Sequence, residues 1–224
     1  MKKMWLPIFW IGLLAYSNVQ ANLIVRSGGM IYDSDQNLTW LQDANYAKTT
    51  GQSPNGGMGW EQANTWVSNL IYGGYSDWRL PSMTDTGTLG CNYAFSNTDC
   101  GWNVDTSTSE LAYMFHVNLN NKSFYDFNGI DQPDYGLQNS GPFINLESYF
   151  YWSAVEYAPD TTNAWNFGMV NGGQAYDYKG YPFNVWAVRD GDVSAVPEPA
   201  TLWLYGSGLL LGLFFNHRCR PRLI

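Results

Sequence analysis

Positive charge, histidine and cysteine are all scarce in this chain. Of 224 residues, eleven are Lys or Arg against nineteen Asp or Glu, with two His and three Cys. Five of the cations stand at the two ends (Lys2, Lys3, Arg218, Arg220 and Arg222), and Glu198 is the one acid outside residues 22–193. That central stretch therefore holds six cations and eighteen acids, a balance near −12. Such a surface repels phosphate backbones and anionic lipid, which excludes nucleic acid as a partner class and leaves divalent cations and neutral glycans compatible. The few soft ligands exclude a Cys/His zinc cluster. Long apolar runs are also missing. Trp5 to Tyr16 and Leu202 to Phe215 are the longest, and both fall short of the ~20 residues of a permanent spanning helix.

Aromatics, by contrast, are plentiful. Trp40, Trp60, Trp66, Trp78, Trp102, Trp152, Trp165 and Trp186 all fall in residues 22–193, and so many Trp with so few charges describe a packed module rather than a solvated tail. Residues 1–21 have the parts of a secretory signal peptide: Lys2 and Lys3, the apolar run, then Val19-Gln20-Ala21. Cleavage is expected between Ala21 and Asn22. Export places Cys91 and Cys100, nine apart with turn formers between them, in an oxidising compartment, so a disulfide between them is expected. Cys219, in the basic tail, is left as a free thiol or a lipidation site.

The order of elements predicts an α+β fold, two short helices packed on antiparallel strands. Met30-Ile31-Tyr32 and Leu38-Thr39-Trp40-Leu41 read as strands, with Ser27-Gly28-Gly29 as a hairpin turn. Residues 49–59 form a loop. Trp60, Ala63, Trp66-Val67 and Leu70-Ile71 recur at helical spacing, stopped by Gly73-Gly74, and their tryptophans are assigned to the core. In Asp77-Trp78-Arg79-Leu80-Pro81, Trp78 and Leu80 face one side and Asp77 and Arg79 the other, with a carboxylate partner for Arg79. Ser107-Thr108-Ser109-Glu110 reads as a capping box opening a helix through Leu111, Met114 and Phe115. Strands follow at 149–154, at 164–170 with an Asn171-Gly172-Gly173 turn into 174–178, and at 184–189.

Three sets of side chains are candidates for chemistry. Asp126, Asn128, Asp131 and Asp134 make the densest oxygen cluster and are the candidate Ca²⁺ ligands; Asx-turns account for the same composition without a metal. His116, the one histidine within residues 22–193, reads as a surface or internally satisfied side chain. Glu110, Glu147 and Glu156 are the acids from which a hydrolase would draw a carboxylate pair.

Residues 194–224 resemble a PEP-CTERM sorting signal. Pro197-Glu198-Pro199 precedes the apolar run of Leu202 to Phe215 and the basic end Arg218-Cys219-Arg220-Pro221-Arg222. The resemblance implies recognition at Pro197, Glu198 and Pro199 by an exosortase after passage through the secretion machinery. It further implies transient insertion of the C-terminal helix in the inner membrane, removal of the tail, and delivery to the envelope or extracellular matrix. Residues 22–193 resemble the Lcl C-terminal family, named for the C-terminal module of a bacterial collagen-like adhesin. Leu38-Thr39-Trp40, Trp60 with Ala63, Asp77-Trp78-Arg79-Leu80-Pro81, Tyr151-Trp152-Ser153, Ala164-Trp165 and Ala187-Val188-Arg189 carry the likeness. It implies a C-type-lectin-like fold and binding or adhesion rather than catalysis. The sulfated ligands of the best-known member do not suit a module near −12. Gln132-Pro133-Asp134 equals a galactose tripeptide of C-type lectins, but its partner stretch Trp165-Asn166 is followed by Phe167 instead of Asp.

The functional expectation is a non-enzymatic, exported binding module of the biofilm matrix or envelope. It would recognise glycan or a matrix protein through loops 45–60 and 120–145. The alternatives are a polysaccharide hydrolase and a ligand-free structural matrix protein.

Overall fold

A computed structural model describes residues 23–87 and 99–193. The expected signal segment with Ala21 and Asn22, Cys91 of the expected disulfide, and the expected sorting segment with Pro197, Glu198, Pro199 and Cys219 lie outside the described residues. No helix among the described residues is long and apolar enough to cross a membrane.

Two sheets make the α+β body. The first has strand order β1-β2-β3-β10, from Leu23–Arg26 (β1), Met30–Asp33 (β2), Leu38–Leu41 (β3) and Val188–Asp190 (β10), all antiparallel. The β1–β2 turn falls on Gly28 and Gly29, whose φ values of 76° and 73° suit glycine. The second sheet runs β4-β9-β6-β7-β8-β5. Its members are Gly57–Met58 (β4), Gly101–Trp102 (β5), Phe150–Glu156 (β6), Asn163–Gly168 (β7), Gly173–Tyr178 (β8) and Phe183–Asn184 (β9). Its β6–β9 pair alone is parallel. Helices Tyr46–Thr49 (α1), Trp60–Ser68 (α2) and Glu110–Tyr113 (α3) are short, and α3 continues as a wider π turn over Met114–Asn118.

The expected last strand, 184–189, is two. Phe183 and Asn184 belong to the second sheet and Val188 to Asp190 to the first, so Val185, Trp186 and Ala187 cross between them. Trp186 makes that crossing the centre of the core. Its ring is fully buried, 4.6 Å from Trp40 and 4.7 Å from Phe143. Its Nε1–H donates to the Leu41 carbonyl at 2.8 Å, and Leu41 N–H donates to the Ala187 carbonyl at 3.0 Å. Trp152, equally buried, donates to the Met58 carbonyl at 2.8 Å. Each indole buries a large apolar area while its one donor ties a neighbouring segment to the sheet.

Residues 77–80 extend the first sheet beyond β10. Arg79 N–H donates to Val188 O at 2.8 Å and Val188 N–H to Arg79 O at 2.9 Å. Trp78 and Leu80 are buried and Asp77 is exposed, as the alternation predicts. Asp77 holds Arg189 through two bonds of 2.8 and 2.9 Å, and the Arg189 guanidinium lies 4.1 Å from the Tyr75 ring centre. Arg79 forms a bidentate pair with Glu110, both bonds 2.8 Å, and also reaches Asp190. Those carboxylates overcome burial and hold the Arg79 guanidinium firmly in its charged form.

That pairing corrects the capping box. Glu110 does not reach back to Ser107; it accepts from Arg79 and from the Ser82 N–H at 2.7 Å. Ser109 caps α3 instead, its Oγ accepting from Ala112 N–H at 3.3 Å, and Asp105 caps the preceding 3₁₀ turn through Ser107 N–H. A guanidinium 31 residues away in the chain satisfies the carboxylate better than one neutral N–H, because both partners are charged and the geometry is forked. Replacing Glu110 by Ala leaves a half-buried guanidinium with only Asp190. We expect a loss of about 2–3 kcal/mol in unfolding free energy, read from the urea midpoint.

Candidate functional site

Cations that would bind a polyanion are already engaged. Arg26 pairs with Asp192, Lys48 with Glu147, Arg79 with Glu110 and Asp190, Lys179 with Glu61 and Glu156, and Arg189 with Asp77. Among the described residues Lys122 is the cation without an ion pair. The surface is therefore left to neutral hydrogen-bonding groups and rings.

The largest groove described, about 700 Å³, lies between the 46–58 segment and α2. Tyr46, Thr50, Gln52 and Met58 line one wall. Glu61, Gln62, Thr65, Trp66, Asn69, Leu70 and Ile71 line the other. Here the expectation that Trp60 and Trp66 are core is corrected. Ala63 and Val67 take the buried stripe of α2, and both tryptophans pack on the core while staying partly exposed. Trp60 donates its Nε1–H to Ser153 O at 2.8 Å and lies under Lys179 Nζ, 4.3 Å from the ring centre. Ile71, expected on the helix, lies past its end and is 76% exposed. Thr50 and Thr65 hydroxyls donate to the Tyr46 and Glu61 carbonyls, 2.8 Å each, so their oxygens keep acceptor capacity. Amides, hydroxyls and a ring in an open trough can satisfy a polar ligand that also has apolar faces.

A second groove of about 430 Å³ is lined by Ser53, Pro54, Asn55, Gly57, Glu147, Tyr149, Pro182 and Asn184. Burial alone would raise the Glu147 carboxyl, but Lys48 at 2.9 Å and Asn184 at 3.3 Å hold it below the usual range. The other acids proposed for hydrolysis stand elsewhere. Glu110 is paired to Arg79 and Glu156 to Lys179, and neither lines any of the three grooves described here.

A smaller cleft of about 260 Å³ brings His116 together with Asn103, Ser123, Asp126, Phe127 and Gln132. The imidazole packs edge-on to Phe115 at 4.8 Å and Phe167 at 6.0 Å, and its Nε2 is 3.4 Å from Ser123 Oγ. Ser123 is fully buried and donates to the Gly172 carbonyl at 3.0 Å, a structural role. Burial pulls the imidazole down to about 4, outweighing the backbone hydrogen bonds at Asn121 and Gly172, which favour the cation.

The candidate Ca²⁺ ligands Asp126, Asn128, Asp131 and Asp134 stand on the 121–136 loop. Among the described residues no three His, Cys, Asp or Glu side chains form a group able to hold a metal ion. Asp126 Oδ1 instead accepts from the N–H groups of Asn128 and Ile130, each at 2.8 Å, and these backbone bonds lower its carboxyl. The Asx-turn reading of the cluster is the one realised, with Asp134 at φ 59° and Asp131 bridged to Tyr125. The galactose tripeptide is likewise engaged internally. Gln132 donates to Ser123 O and Tyr125 O, while Asn166 is buried and donates to Asp177. Cys100 is buried beside Met83, Tyr157 and Trp165 and is not a free thiol; its expected bond to Cys91 reaches outside the described residues.

The model of the Lcl C-terminal domain matches residues 29–189. This chain belongs to that family. The match begins in the β1–β2 turn and ends within β10, so the Lcl C-terminal domain takes in the second sheet and the first sheet apart from β1. No curated protein and no solved structure matches. The groove residues Gln62 and Asn69 escaped the reading of the sequence, although with Trp66 their i, i+4, i+7 spacing places them along one stripe of α2.

His116 gives this domain a pH-dependent stability. Its unfolded imidazole titrates near the ordinary 6.5 and its folded one near 4. Between those values the unfolded chain binds the extra proton, so stability is intact above about pH 6.5 and falls as the pH drops to about 4. The loss from this group is roughly 3 kcal/mol. His116→Gln is expected to remove that component, flattening the urea midpoint against pH across this window relative to the unsubstituted protein.

Proposed function

We propose that this Lcl C-terminal domain is a non-enzymatic binding module of the cell envelope or extracellular polysaccharide matrix, with a neutral glycan as its ligand. The carrying observation is the 700 Å³ groove, where Trp66 and Tyr46 stand among Gln52, Gln62, Thr50, Thr65 and Asn69. Aromatic faces cover the C–H faces of a sugar ring, and amides and hydroxyls match its hydroxyls as donors and acceptors. Engagement of Arg26, Lys48, Arg79, Lys179 and Arg189 in ion pairs supports a neutral ligand over a sulfated one. The delivery route in this proposal follows the PEP-CTERM likeness of residues 194–224: secretion, transient anchoring and exosortase processing. A C-type-lectin-like fold is part of the same reading.

A glycan array probed with the full-length chain tests it. Neutral oligosaccharides should be retained and heparin-like ones not, without dependence on added Ca²⁺. Trp66→Ala should weaken retention about tenfold or more under conditions where its urea unfolding curve shows the variant to be folded, since the ring also packs on the core. Retention only of sulfated glycans, or retention indifferent to Trp66, would overturn the proposal.

A further inference from the structure

Residues 121–136 form a finger on the opposite recognition loop from the groove just described. Lys122 and Gly136 bridge at its base, Tyr125 and Asp131 bridge near its tip, and Phe124 N–H donates to Asn171 O at 2.9 Å. Phe124 and Tyr125 pack against Trp102, with ring centres 5.9 and 6.1 Å away. At the tip, Asp126 accepts from two backbone N–H groups, and its own N–H donates to Ile130 O at 2.9 Å. The turn is thus held in one shape, yet the side chains it presents are Phe127, 63% exposed, and Ile130, 64% exposed. Asp131 and Asp134 beside them are exposed and in no ion pair among the described residues.

We infer that this tip is a protein-docking surface, in which Phe127 and Ile130 enter an apolar pocket on a partner whose rim carries Lys or Arg. A preorganised turn lowers the ordering cost of binding, and two large apolar side chains are the kind of anchor that a central pocket uses. The two unpaired carboxylates select the rim. They are repelled by anionic lipid headgroups and by the same acids on a second copy, and they complement a basic surface. Phe127 borders the 260 Å³ cleft with its amides and hydroxyls and Ile130 does not; the large apolar exposure of both suits a protein pocket better than a sugar. The inference stands on a surface separate from the groove and does not rest on the glycan reading.

The test uses a two-helix miniprotein with an apolar groove edged by Lys, its twin edged by Glu, and phosphatidylcholine vesicles, each passed over the immobilised full-length chain. The Lys-edged probe should bind, and Phe127→Ser with Ile130→Ser should weaken it about tenfold or more. Asp131→Asn with Asp134→Asn should weaken it about threefold to tenfold at low salt, with the difference shrinking at about 0.5 M salt as screening sets in. All variants should keep the unfolding midpoint, since these side chains are outside the core. Equal binding of the Glu-edged twin, binding unaffected by the Phe127 and Ile130 changes, no binding of the Lys-edged probe, or tip-dependent binding of vesicles would each overturn the inference.

Discussion

The antiparallel bridge between Arg79 and Val188 is the constraint on which the other elements depend. Two backbone bonds place residues 77–80 beside β10, and the side chains on the outer face then lock the arrangement reciprocally. Asp77 from the inner segment holds Arg189 of the terminal strand, and Arg79 holds Asp190 of that strand and Glu110 of α3. Five charges on three segments far apart in the chain are thereby satisfied at one place. On the inner face the same segments send Trp78, Leu80 and Val188 into the core. Removing Glu110 or Asp77 takes the forked partner from a partly buried guanidinium, which is why this cluster is costly to disturb even though its outer atoms meet solvent.

The consequences run outward to the surface. Because the few cations are engaged in such pairs, the remaining Asp and Glu give the domain its negative field, and recognition of a neutral ligand at the α2 groove falls to groups without charge. The second sheet positions α2, with Trp60 N–H donating to Lys179 O and Trp60 Nε1–H to Ser153 O of β6, and the buried stripe of the helix is only Ala63 and Val67. A narrow buried stripe leaves Trp66 and its polar neighbours to form a groove wall. At the other side, the π turn after α3 carries His116 into an apolar setting between Phe115 and Phe167, which holds the imidazole neutral and ties the acid sensitivity of the domain to its core packing.

Local alternation was readable where one face is buried and the other is not. Trp78 and Leu80 inward with Asp77 and Arg79 outward follows from the period of two, as does the β7–β8 hairpin. Readings failed where a distant partner outbid a near one. Ser107 and Glu110 have the spacing of a capping box, yet a guanidinium offers the carboxylate two charged bonds. Trp60 and Trp66 have the spacing of a core stripe, but the helix lies on the sheet through its small residues, a choice that depends on how closely α2 and β6 approach. The run 184–189 has strand composition throughout, and only the change of sheet at Trp186 divides it. Asp126, Asn128, Asp131 and Asp134 have a composition open to a cation site or to Asx-turns, and at Asp126 the backbone donors of Asn128 and Ile130 form the turn.

The sequence by itself determined the sign of the surface and its wealth of aromatics through totals, the α+β class through the order of its local patterns, and the family through short motifs in a set order. Tertiary structure alone decided which carboxylate meets which guanidinium, which face of α2 is open, and that Phe127 and Ile130 stand outside the core. Those outcomes depend on contacts between residues tens of positions apart, and a local pattern holds no information about the distance between them.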